Sequence, residues 1–134
     1  MIIDKPKIEW PEGEWHNEPD SLEWVDEVTG YQCAAFRSMV FGYWCGYVSI
    51  PKMHPMYGEY FRDINVHVHG GVSFTGMIQK GGHYRIGFDC MHETDVAPHP
   101  IFYETFPNST YKNLSFVKNE CTSLARQLKE LEKE

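Results

Sequence analysis

Hydrophobic and polar residues alternate with period two over several short runs of this chain, and the period lengthens to between three and four at its C-terminal end. The first pattern puts successive side chains on opposite faces of a strand; the second keeps them on one face of a helix. EWVDEVTGYQCAAFRS holds two strand-like runs around Thr29-Gly30, where glycine supplies the positive φ of a tight turn, and predicts a hairpin. MVFGYWCGYVSI, from Met39 to Ile50, is almost continuously apolar and stops at Pro51, as a central strand covered on both faces does. Farther on, Ile64, Val66 and Val68 alternate with Asn65, His67 and His69, which predicts a strand with one apolar face and a histidine face. Gly70-Gly71 interrupts that run before VSFTG resumes it. Glycines inside a strand mark a bulge or a close approach of another group to the backbone. After Gly81-Gly82, HYRIGFDCMH sets Tyr84, Ile86, Phe88 and Cys90 in one row, extended by His92, with Asp89 on the opposite face.

The helical stripe is Leu114, Val117, Cys121, Leu124, Leu128 and Leu131, at alternating intervals of three and four. It predicts a helix over residues 114–132 with Asn113 as its N-cap. Packing on the sheet is the expected use of the stripe; a homo-oligomer joined through the helix is the alternative. Residues 1–23 read as an extended arm anchored by Trp10 and Trp15, and Pro51 to Asp63 as an ordered loop. The pattern therefore predicts one α+β domain over residues 1–134: a twisted, mostly antiparallel sheet with the C-terminal helix packed across one face.

Composition narrows the function classes. At 134 residues the chain is long enough to bury a core without disulfides or metal. Eight Tyr, eight Phe and four Trp supply flat rings for that core and for any ligand groove. A net charge of −7 argues against a partner that is a nucleic-acid polymer, which is held by clustered Lys and Arg. A small phosphorylated ligand needs only one cation and a few backbone N–H groups. No run reaches the length of a membrane helix, and MIIDKPKIEWPEGEW is too acidic and too interrupted by Pro for a signal peptide, so a cytoplasmic protein with no membrane partner is expected. Cys33, Cys45, Cys90 and Cys121 include no C-x-x-C pair and read as reduced thiols, buried at positions 33, 45 and 121.

Candidate chemistry concentrates in GFDCMHETD, residues 87–95, and in HVHGG before it. Three readings compete. His67, His69, Cys90 and His92 form two i, i+2 pairs that can meet as a tetrahedral zinc site. Cys90 can act as a nucleophile if His92 or His69 serves as base and Asp95 or Asp89 orients the imidazole, which would make the protein a Cys/His/Asp-dependent hydrolase. In the leading reading there is no cofactor and no covalent step. His69, His92, Asp89 and Asp95 surround a ligand seated over Gly70 and Gly71, with Trp44 and Tyr47 as aromatic walls. Catalytic candidates are then His69, Cys90, His92 and Asp95. Arg37 and Arg85 are expected in surface ion pairs, and His54 and His99 in turns. Nucleotide-loop, dinucleotide and serine-elbow fingerprints are absent from the sequence.

The ordered pieces EPDSLEWVDEVTGYQC, YWCGYVSIPKMHPMYG, HGGVSFTG, GFDCMHETD and LSFVKNECTSLARQL resemble a family of short, mostly uncharacterised proteins of bacteriophages, prophages and bacteria. Its pattern runs G-x-x-C-G-Y-V, H-P-x-Y-G, H-G-G-L-[ST] and G-F-D-C-x-H-x-x-D, then a helix with V-K-x-E-C. The resemblance spans residues 18–128 and implies that His69, Gly70, Gly71, Asp89, Cys90, His92 and Asp95 belong to the family pattern, whereas His67 does not. HYRIGFDC stands where the family often has paired Trp, and Val72 where it has Leu. The resemblance implies a setting rather than a reaction: a small anti-defence protein that sequesters a nucleotide-derived immune signal in the bacterial cytoplasm. An enzyme acting on a small molecule and a protein-interaction module are the alternatives.

Overall fold

A computed structural model describes residues 2–3, 10–77, 83–99 and 108–133, and in it the alternating runs become an antiparallel sheet crossed by one helix. The strands are β1 (Ile2–Ile3), β2 (Ser21–Val25), β3 (Gln32–Arg37), β4 (Trp44–Ile50), β5 (Phe74–Met77) and β6 (Tyr84–Asp89). They lie in the order β1-β2-β3-β4-β6-β5, and every neighbouring pair is antiparallel. A separate parallel pair joins β7 (Asp95–Val96) to β8 (Thr110–Tyr111), and α1 spans Leu114–Leu131. This is the expected α+β arrangement.

Local sequence accounts for most of these elements. The β2–β3 turn is closed by Asp26, whose Oδ2 accepts from Thr29 N at 3.2 Å and Thr29 Oγ1 at 2.7 Å. Asn113 caps α1, its Oδ1 accepting from Phe116 N at 2.9 Å. One sheet face and the helix stripe form a single core: Trp44, Val48, Ile50, Ile86 and Phe88 meet Val117, Cys121, Leu124 and Leu128, all essentially without solvent contact. The stripe is thus consumed within the chain, and the outer face of α1 carries Lys118, Asn119, Arg126 and Glu130. The opposite sheet face bears Phe36, Tyr47 and Phe74 in ring contact, with Arg85 over the first two and paired to Glu23 at 3.5 Å.

Two boundaries differ from expectation. The arm read as residues 1–23 gives up Ser21, Leu22 and Glu23 to β2, although Trp10 and Trp15 are buried as anchors. The central strand begins at Trp44, not Met39, because Ser38 to Tyr43 form the turn after β3, with Ser38 N donating to Tyr43 O at 2.8 Å.

The run from Ile64 to His69 keeps its alternation but joins no sheet. Ile64 is buried, and Val66 and Val68 pack on the core, while the backbone bonds to side chains on the flank of α1. His67 N donates to Gln127 Oε1 at 2.7 Å, Gln127 Nε2 donates to His67 O at 2.7 Å, and His69 N donates to Glu120 Oε1 at 2.7 Å. Alternation specifies one apolar face, and a helix flank covers that face as well as a neighbouring strand does.

His54, expected in a turn, is there but also buried. Its Nε2 donates to Leu128 O at 2.7 Å, one of the carbonyls the last turn of α1 leaves without a helical partner, and its Nδ1 accepts from Met56 N at 2.9 Å. Replacing His54 by alanine strands both groups. Urea unfolding is expected to show a loss of about 1–3 kcal/mol; an unchanged midpoint would show that water replaces both bonds.

Candidate functional site

Polar residues from three segments meet where β6 ends. Asp89 Oδ1 accepts from Met91 N at 3.0 Å and turns the chain out of the sheet, while Cys90 N still donates to Trp44 O at 2.9 Å. Next comes a reciprocal turn: Asp95 N donates to His92 O at 2.9 Å, and His92 N donates to Asp95 Oδ2 at 3.0 Å. His69, hung on α1 through Glu120, brings its Nε2 to 3.0 and 2.9 Å from the two Asp95 oxygens. From beyond β8, Lys112 Nζ reaches Asp95 Oδ1 at 2.9 Å. The His69 ring stands edge-on to His92 at 5.4 Å and to Phe116 at 5.2 Å between centroids.

Asp95 is the hub, with 5% of its surface exposed. Burial opposes its ionisation, but hydrogen bonds from His69, Lys112 and the His92 N–H outweigh that and hold its carboxyl below the usual carboxylate range. It is an anion at neutral pH. A carboxylate only accepts, so the contact with His69 puts a proton on His69 Nε2. His92 Nε2 likewise donates to the Asp89 carbonyl at 3.1 Å and lies 3.3 Å from Asp89 Oδ1.

The two glycines expected to admit a close neighbour do so, and the neighbour is His92. Gly70 and Gly71 have φ of 69° and 83°, in the left-handed region, and a Cβ on Gly70 would stand 2.0 Å from His92 Nε2. Gly71 N closes the turn on Val68 O at 2.8 Å.

Of the residues predicted for the site, His69, His92 and Asp95 converge, with Asp89 against His92 and Gly70 beneath it. Trp44 does not join them. It is fully buried, its Nε1 donating to Tyr111 OH at 3.1 Å, because its face of β4 is the one α1 covers; Tyr47 lies on the other face. Cys90 is 2% exposed, and burial pushes its thiol far up, with the Asp95 and Asp89 carboxylates adding to the effect. The hydrolase reading thereby loses its thiolate. His67 is exposed and stands outside the group. Among the described residues, the ligand atoms that lie within 4.8 Å of one another are those of His69, His92 and Asp95, not the set His67, His69, Cys90 and His92.

Several participants were not legible. Lys112 sits between Tyr111 and the helix cap Asn113, in a sequence with no distinguishing pattern. Phe116, Glu120 and Gln127, spaced by four and seven, mark a helix flank beside the apolar stripe, and that spacing was a usable sign of a segment docking there. Arg37 is not in a surface pair: its side chain is 0% exposed and Nη2 donates to Glu18 Oε1 at 2.7 Å. Two clefts of ligand size lie at the opposite end of the strands. One of about 440 Å³ is lined by Gln32, Ser49, Met53, His83 and Lys129 among others, and one of about 360 Å³ lies beside Val28 and Arg126.

Burial controls the other thiols too, pushing Cys45 up to about 11 and Cys33 up to about 12. A thiol with a raised pKa becomes a thiolate only as pH rises through that value, so at pH 8 the half-buried Cys45 carries about 100-fold less thiolate than an ordinary cysteine. Iodoacetamide at pH 8 is expected to label the native protein slowly and at Cys45 first, with rapid labelling only in urea. Rapid native labelling at Cys90 would overturn its place in the core.

Comparisons with protein-family models, with curated proteins and with solved structures find no match. The protein is an α+β domain with a buried carboxylate and two partly exposed imidazoles gathered at one end of its sheet.

Proposed function

We propose that this protein is a binding domain for a small, anionic, nucleotide-derived ligand, and that the rim formed by His69, His92 and Asp95 is where it binds. One observation carries the reading. Asp95, buried and ionised, ties together the β6–β7 turn, the segment ending at His69-Gly70-Gly71 and the start of α1, while both imidazoles keep an edge in solvent. Shifted ionisable groups with partly exposed imidazoles concentrate at working sites. The Phe116 ring beside His69 offers an apolar edge to a base. The resemblance to small phage proteins supplies the role: sequestration of a host immune signal in the bacterial cytoplasm.

A second reading draws on the same contact. Asp95 orients His69 through Nε2, as a carboxylate orients a catalytic imidazole, which would let His69 act as a general acid or base on a bound small molecule. One experiment separates the two. The purified protein is incubated with cyclic oligonucleotides and with cyclic ADP-ribose-type molecules, heat-denatured, and the released material is analysed. Intact ligand supports sequestration and a new product supports an enzyme. If nothing is retained and nothing is converted, both fail and a protein-interaction module is left.

A further inference from the structure

We propose that His69, His92 and Asp95 bind a divalent first-row transition-metal ion of the zinc class, leaving positions open for an oxygen of the anionic ligand. The inference rests on reading this cluster as the working site, and it answers a difficulty that reading raises. An anion needs a positive partner, and among the described residues of this cluster the ammonium present is already engaged. Lys112 Nζ is engaged by Asp95 Oδ1 at 2.9 Å, Thr110 Oγ1 at 2.6 Å and two carbonyls at 3.2 Å. Against that one ammonium stand Asp95, Asp89 against the His92 ring, and Glu120 on the His69 backbone. The neighbourhood is negative and attracts a cation first. A bound divalent ion reverses the sign and presents charge to phosphate.

The geometry fits an ion. Two donors about 2.1 Å from a metal stand about 3 Å apart at right angles, and about 3.4 Å apart at the tetrahedral angle. The His69 Nε2 to Asp95 distances are 2.9 and 3.0 Å, and one donor atom from each of the three residues falls within 4.8 Å of the others. Ion binding at His69 Nε2 releases the proton that Nε2 otherwise donates to Asp95, and that proton passes to solvent. Each Asp95 oxygen keeps a lone pair, since Lys112 occupies one site on Oδ1 and the His92 N–H one on Oδ2. With Nε2 of the His92 ring donating to Asp89, the free lone pair of that ring is on Nδ1, and a partner on the second nitrogen is the outer-shell arrangement that fixes a ligating imidazole. Two imidazoles and one carboxylate suit zinc, iron, cobalt or nickel rather than magnesium or calcium, which prefer all-oxygen sites. Three protein donors leave coordination open, as in metal sites that accept a substrate.

The test uses full-length protein, stripped with chelator and free of nucleotide, titrated with Co²⁺ by visible absorption and with Zn²⁺ in competition. One saturable site per chain is expected, displaced by Zn²⁺ and without the near-ultraviolet band of a cobalt–thiolate bond. His92→Gln changes a partly exposed side chain; it is expected to melt like the parent and to bind Co²⁺ at least about tenfold more weakly. Absence of a saturable site, a thiolate band, or unchanged affinity in His92→Gln would each overturn the proposal. The nucleotide assay, repeated with chelator present, keeps the two claims apart. Retention by metal-free protein overturns the ion and leaves the ligand reading intact. One saturable Co²⁺ site with no nucleotide retained supports the ion and sinks the ligand reading.

Discussion

Replacing Arg37 by alanine is expected to lower the unfolding free energy by about 3–5 kcal/mol, because it leaves a largely buried carboxylate, 13% exposed, without its cation. The guanidinium lies between two indoles, 5.3 Å from the Trp10 ring and 4.5 Å from the Trp44 ring. Nη1 donates to Trp15 O at 3.2 Å and Nη2 to Glu18 and to the Tyr111 hydroxyl. Glu18 is the other half of the network: Oε1 also accepts from Tyr111, and Oε2 accepts from Leu114 N at 2.7 Å, satisfying a donor at the first turn of α1. Arm, sheet, β8 and helix start therefore share one ion pair. Burial pushes the Tyr111 hydroxyl up, Arg37 opposes and Glu18 reinforces, so the hydroxyl stays a neutral donor. Urea unfolding and calorimetry read the loss, and a cost below about 1 kcal/mol would show that the network is solvated. The double variant Glu18→Gln with Arg37→Met removes both charges and is expected to recover much of the loss, because the main penalty of the single change is the stranded carboxylate.

That network also shows where reading the sequence stops. The helix was legible from its stripe and Asn113, and the β2–β3 hairpin from Thr29-Gly30, because each depends on residues near one another along the chain. Arg37 looked like a surface cation because residue type does not say which sheet face it joins. Register does: Arg37 pairs with Trp44, so both side chains lie on the face that α1 covers. The same fact removed Trp44 from the predicted pocket. Placement of β5 outside β6, and docking of Ile64 to His69 on α1, depend on contacts between distant segments, about which local alternation is silent.

The candidate site was more legible than the sheet order. GFDCMHETD looked like a single cluster, yet strand alternation already separated Cys90 from Asp89 and left His92 and Asp95 at the strand end facing His69-Gly70-Gly71. The structure brings those residues together and puts Cys90 beneath them, in the core. What alternation left out was Lys112, whose charge alters the electrostatics of the whole group.

Gly70→Ala and Gly71→Ala are expected to cost the fold alike and to affect the site differently. Both positions are left-handed, with φ of 69° and 83°, and an alanine in that region loses about 1–2 kcal/mol. At Gly71 a new Cβ meets nothing within 4 Å, so backbone strain is the whole effect. At Gly70 the new Cβ would stand 2.0 Å from His92 Nε2, and the ring must leave. Its side chain is 35% exposed, so it swings into solvent at little further cost to stability, but Asp89 and Asp95 lose their neighbour. Urea unfolding of the two variants should therefore agree within about 1 kcal/mol. Cobalt affinity should fall at least about tenfold in Gly70→Ala and stay near the parent value in Gly71→Ala. Equal affinities in the two variants would mean that His92 contributes nothing at the position it occupies, and would overturn the three-residue site.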